Sequence, residues 1–133
     1  MKVVLDANVI VAAFASRGLC EAILELCLSE HEIILCADLL EEVLTNLRTK
    51  IGLPVGMVEG IRSLFQEYAT LFDPVSLPEE ICRDPDDVKV LGLAVASGAN
   101  YIVTGDKDLL VLKEWQGVSI LTPRAFSDMV HGG

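Results

Sequence analysis

Four short aliphatic runs, at residues 2–5, 33–36, 101–104 and 118–121, alternate with segments whose apolar residues recur at helical spacing. Such alternation restricts the chain to an α/β fold, with a parallel sheet joined by right-handed crossovers. Residues 2–5 read as a buried strand, and Asn8 as the cap of a helix through about Phe14. Leu19, Ala22, Ile23, Leu26 and Cys27 then mark a second helix ending near Ser29. After the strand at 33–36, Asp38 and Glu41 have the spacing of a capping box. The helix they open runs towards Lys50 and breaks at Gly52 and Pro54. Residues 55–70 are amphipathic, with Val58, Ile61, Leu64, Phe65 and Tyr68 on one face, and Leu71 and Phe72 form a brief strand. Asp84, Pro85, Asp86 and Asp87 begin the next helix, which closes near Ser97 and Gly98. A strand at 101–104, a short helix at 109–115, a last strand at 118–121 and a helix from Pro123 complete the order. No repeat, low-complexity stretch or linker interrupts it, so residues 1–133 are expected to form a single domain.

Composition removes several functions. At 52% apolar residues the chain is too hydrophobic for disorder, and at 5% aromatic it lacks the rings of a base-stacking platform. Charges interrupt every apolar run well short of a membrane span, and the run at the amino end is too short for a signal peptide. A cytoplasmic protein without membrane contact is the expectation. Cys20, Cys27, Cys36 and Cys82 form no CxxC pair and have no interleaved histidines, which disfavours a structural zinc site. They are expected as buried free thiols. His31, at a strand start, and His131, in a Gly-ended tail expected to fray, are poorly placed for catalysis.

The acidic residues follow the fold more closely. Asp6 and Asp106 come just past the first and third aliphatic runs, on strands that a parallel sheet would set side by side. In such sheets the carboxyl ends of the strands form the crevice where ligands bind. Glu42, early in the helix after the second strand, and Asp84 and Asp87, at a helix start, lean towards the same end. Five carboxylates gathered there would repel one another unless they shared a cation. The pattern therefore points to a hard-metal site, and to phosphate chemistry. Each acid also has a plain local use. Asp6 and Asp106 could be turn formers or helix caps, and the acids at 84–87 favour a helix start on their own. Asp108 suits a cap as well as a ligand. Glu41 is absorbed by the capping box, which leaves Glu42 without a local explanation. Asn8 and Thr104 are cap or turn residues that could instead hydrogen-bond a ligand carboxylate or a phosphate oxygen.

Four segments carry a resemblance. They are Leu5-Asp6-Ala7-Asn8-Val9, Leu40-Glu41-Glu42-Val43-Leu44, Arg83-Asp84-Pro85-Asp86-Asp87 and Ile102-Val103-Thr104-Gly105-Asp106-Lys107-Asp108-Leu109-Leu110. In this order, with the small-residue run at 94–101, they resemble the PIN-domain ribonuclease family, in particular its prokaryotic stand-alone members of the toxin–antitoxin (VapC-like) type. The resemblance implies a three-layer α/β/α sandwich around a central parallel sheet. It also implies an Mg²⁺- or Mn²⁺-dependent ribonuclease that leaves 5′-phosphate and 3′-hydroxyl ends. The family's metal acids, which are its catalytic residues, fall on Asp6, Glu42, Asp87 and Asp106; the interval to Ala94 favours Asp87 over Asp86. Asp84 and Asp108 fall where relatives often carry further acids, and Asn8 and Thr104 where the family places supporting polar contacts. RNA would be met by Arg17 and Lys107, with Arg48 a further candidate. A cognate antitoxin and a homodimer are the implied partners, and the apolar face of residues 55–70 is a candidate surface for the dimer.

A net charge of −10 runs against tight binding of a phosphate backbone. Setting aside the four metal acids still leaves −6, and the ten Lys and Arg form no visible patch. A catalytically weak or inactive PIN-like scaffold, binding RNA or protein without cutting, is therefore an alternative. A phosphorelay receiver would want paired acids after the first strand and a Lys ending the last. Asp6-Ala7-Asn8 and Thr122-Pro123-Arg124 supply neither.

Overall fold

Val3, Val4, Leu5, Ile33, Ile34, Leu35, Ile102 and Val103 are all wholly buried, so the central strands are apolar on both faces. That is the signature of a parallel sheet covered by helices on each side. The computed structural model describes residues 1–132. Its strands are β1 (Lys2–Leu5), β2 (Glu32–Leu35), β3 (Ala69–Leu71), β4 (Tyr101–Val103), β5 (Glu114–Trp115) and β6 (Val118–Leu121). Its helices are α1 (Ala7–Ala15), α2 (Leu19–Glu30), α3 (Ala37–Asn46), α4 (Val55–Tyr68), α5 (Pro85–Ser97), α6 (Lys107–Leu110) and α7 (Pro123–Gly132). The sheet order is β3-β2-β1-β4-β6-β5, parallel except for β5 against β6. Val3 lies beside Ile33 on one side and Tyr101 on the other, and Leu5 lies beside Val103.

The chain steps from β1 to β2 to β3 in one direction, then returns past β1 to β4. Right-handed crossovers consequently put α1 to α4 on one face and α5 on the other, giving an α/β/α sandwich. The strand order reverses between β1 and β4, and the carboxyl ends of these two neighbours form the crevice of the sheet. Gly92 lets α5 approach the preceding loop, where Val75 donates its N–H to the Gly92 carbonyl at 3.1 Å. Among the described residues, no helix is long and apolar enough to cross a membrane.

Several local expectations shift. Asp6, not Asn8, caps α1. Cys36, not Asp38, precedes the first turn of α3, so the capping box is absent; Glu41 instead pairs with Arg62 on α4. α3 then widens into a π turn at Leu47–Ile51, closed by Gly52 at φ +81°. β3 begins two residues before the expected strand. The helix expected at 109–115 ends at Leu110, and a β5–β6 hairpin follows. Its two-residue loop, Gln116 and Gly117, has φ of +49° and +83°, the geometry of a tight hairpin turn. On α4, Val58, Ile61 and Phe65 are buried in the core, while Tyr68 is 56% exposed, so the amphipathic face divides between core and surface. All four cysteines are free, Cys20 only partly buried. His131 lies within α7 rather than a frayed tail, with Nδ1 2.8 Å from the Ser127 carbonyl.

Candidate active site

The crevice is built from the ends of β1 and β4. Asp6 follows β1 and uses one carboxylate oxygen to accept the Ala7 N–H, at 2.8 Å. Its other oxygen accepts the Thr104 hydroxyl at 2.6 Å. Thr104 is wholly buried beyond β4, and its Oγ1 also accepts the Asp106 N–H at 3.0 Å. One hydroxyl thus ties the two strand ends together. Asp106 caps α6 by accepting the Asp108 N–H, and Asp84 caps α5 by accepting the Asp86 N–H, each at 2.9 Å. The plain cap role is therefore real for Asp6, Asp84 and Asp106. For Asp84 and Asp106 it engages one carboxylate oxygen and leaves the other for a ligand.

A cleft of about 120 Å³ opens at this point. Seven carboxylates line it, from Asp6, Asp38, Glu42, Asp84, Asp86, Asp87 and Asp106. Among the described residues a single basic side chain, Lys89, joins them. The volume suits an ion, a few waters and a phosphoryl group rather than a buried nucleotide. Oxygens of Asp84, Asp87 and Asp106 lie within 4.8 Å of one another. Asp87 is only 4% exposed, and with both it and Asp106 ionised its Oδ2 accepts no hydrogen bond from a described residue. Burial, then a hydrogen bond and charge from Asp106, then the charges of Asp84 and Asp6, push this carboxyl up to about 7. Burial also raises Asp6, against the lowering effect of the Thr104 and Ala7 hydrogen bonds. Desolvation at the cleft wall raises Glu42, and the negative charges of Asp86 and Asp6 add to it.

A buried carboxylate oxygen without a donor is destabilising, and three clustered carboxylates compound it. A hard divalent cation relieves both, and an all-oxygen donor set suits Mg²⁺ or Mn²⁺. The residues present thus fit such an ion. The tightest group is Asp84, Asp87 and Asp106, which moves Asp84 from the periphery of the expected set to its centre. Asp6 and Glu42 line the same cleft. Asp87 is the buried member of the Asp86–Asp87 pair and Asp86 the exposed one.

Asn8 lines the cleft as an exposed side chain. Asp108 is absent from the lining and pairs with Arg83 at 2.7 Å. Arg17, Lys107 and Arg48 are absent too: Arg17 lies past the far end of α1, Arg48 in the π turn beyond α3, and Lys107 is exposed on α6. Asp38, expected as a helix cap, and Lys89, for which no role was expected, form an ion pair in the cleft wall at 3.1 Å. Helical spacing from Asp86 through Lys89 and Val90 to Leu93, all in the lining, was the available signal.

A family model described as PIN domain matches residues 2–108. A crystal structure of VapBC2 from Rickettsia felis, bound to a DNA fragment from their promoter, is similar over 92% of this chain and 98% of that chain. Its TM-score is 0.62 and its identity 15%, so the likeness is one of fold. No curated protein matches the chain.

Proposed function

Since the chain belongs to the PIN domain family, we propose that it is a metal-dependent ribonuclease, with residues 1–133 acting as one nuclease domain. The observation that carries this reading is the buried, unpartnered Asp87 Oδ2 inside a three-carboxylate group at the sheet's crevice. Asp84, Asp87 and Asp106 would hold Mg²⁺ or Mn²⁺, with Asp6 and Glu42 completing the acidic wall. Bound there, the ion supplies a Lewis acid that activates water and takes up charge on the phosphoryl oxygens. Thr104 fixes Asp6 against rotation, so the wall keeps its shape as substrate enters. Glu42, in the cleft lining beside the three-carboxylate group, would accept a proton from the attacking water. The water oxygen bonds to phosphorus as the bond to the 3′ oxygen breaks, and the leaving 3′ oxygen takes a proton from solvent, giving 5′-phosphate and 3′-hydroxyl ends. The small cleft favours RNA lying across its mouth, with one phosphodiester drawn in.

The fold it shares with the VapBC2 structure supports a toxin role alongside a cognate antitoxin in the cytoplasm. A homodimer through the exposed part of α4 belongs to the same reading. A PIN-like scaffold that binds without cutting is the second reading, favoured by seven carboxylates facing one lysine. Cleavage of labelled single-stranded RNAs in Mn²⁺, Mg²⁺ or EDTA separates the two. Metal-dependent cutting lost in Asp87→Asn and Asp106→Asn is the expected outcome. A folded, metal-binding wild type that cuts nothing would leave the scaffold.

A further inference from the structure

A polyanion entering the cleft meets seven carboxylates at short range, where repulsion is strongest. Lys89 is the one basic side chain in the lining among the described residues. It sits two residues past Asp87 on α5, with its side chain 38% exposed. Its Nζ donates to Asp38 Oδ2 at 3.1 Å, joining α5 on one face of the sheet to α3 on the other. The Asp38 side chain is 75% exposed, so this pair contributes little to stability and its carboxylate is readily exchanged for another anion. An ammonium is a compact charge with three donors, which suits a phosphoryl oxygen. Asp38 Oδ2 therefore marks a position that an anionic oxygen can occupy beside the acidic group.

We propose that Lys89 is the phosphate-contacting cation of this cleft, resting on Asp38 until a phosphodiester takes that carboxylate's place. The assignment rests on, and deepens, the ribonuclease reading of the same site. It gives the cleft its fixed positive charge, a role that Arg17, Lys107 and Arg48 do not fill from their positions.

The test is fluorescence anisotropy of a labelled single-stranded RNA in Ca²⁺, with Mn²⁺-dependent cleavage followed on the same preparations. Lys89→Met is expected to weaken binding about tenfold, the loss of one charge-assisted bond. Its salt slope should be shallower by about 0.7. Lys89→Arg should stay within about threefold of wild type, since it keeps a cation with N–H donors. Asp38→Asn should tighten binding about threefold, because the phosphate no longer competes with a carboxylate. Lys113→Met, an equal change in net charge outside the lining, should stay within about twofold. Lys89→Met and Asp38→Asn break the same ion pair, so a purely structural pair would move both variants the same way. That result overturns the proposal, as do unchanged affinity in Lys89→Met, an equal loss in Lys113→Met, or no measurable binding by the wild type. The expected pattern in a protein that cuts nothing in Mn²⁺ would uphold Lys89 and remove the nuclease reading.

Discussion

Asp87 makes the metal-free protein sensitive to pH. Its carboxyl is held at about 7 in the fold against 3.8 as a free group. Between those values the folded chain binds the proton more tightly than the unfolded chain does. Stability is therefore greatest below about pH 4 on this account and is lost as pH rises through 7, by a few kcal/mol in order of magnitude. Melts in EDTA should show a lower Tm at pH 8 than at pH 5, and Asp87→Asn should flatten that difference. An equal slope in both proteins would place the titration elsewhere. Thr104 allows a second test at this scale. Thr104→Val keeps the shape but removes the donor to Asp6 and the acceptor for the Asp106 N–H. Urea unfolding should show a loss of about 1–3 kcal/mol, with weaker Mn²⁺ binding. The acids after β1 and β4 could be read from the chain because each follows an aliphatic run. Lys89 and Asp38 are 51 residues apart, and nothing local announces that they meet.

Element by element, the strands carried the clearest local signal and the helix starts the weakest. Aliphatic runs placed β1, β2, β4 and β6 to within a residue at each end; burial on both faces leaves few other residue types in the central strands, and β6 keeps Val118 and Ile120 on its buried face. Caps were harder, because Asn8 and Asp38 are good capping types that lie a residue or two inside the helices they were expected to open. Tertiary packing set those starts. The β5–β6 hairpin was hidden by Leu109, Leu110 and Leu112, whose spacing imitates a helix. Gly92 shows how one residue seats a whole helix. A Cβ there would stand 2.3 Å from the Val75 carbonyl oxygen. Gly92→Ala must push the loop from α5, the helix that carries Asp87 and Lys89. Thermal or urea denaturation should register a loss of about 1–3 kcal/mol, with Mn²⁺ affinity reduced alongside it. A variant with wild-type stability would mean that the loop moves freely.

For the molecule as a whole, charge dominates. A net charge of −10, concentrated in part around one cleft, destabilises the compact state through self-repulsion. A divalent ion that binds only the folded chain should stabilise it by about 2.7 kcal/mol at a hundredfold excess over its Kd. Differential scanning calorimetry at pH 7.5 should therefore show Tm rising with Mn²⁺ or Mg²⁺ and falling back on chelation. The gain should shrink at pH 5, where Asp87 holds its proton. A Tm indifferent to both ions would remove the metal centre. Fold class, the strands β1, β2, β4 and β6, and the acids at the strand ends were legible along the chain, because each depends on neighbours a few residues away. The order of the outer strands, the tight grouping of Asp84 with Asp87 and Asp106, and the Lys89–Asp38 pair were decided in three dimensions. They depend on which distant segments the sheet brings together, and periodicity along a single chain carries no record of that.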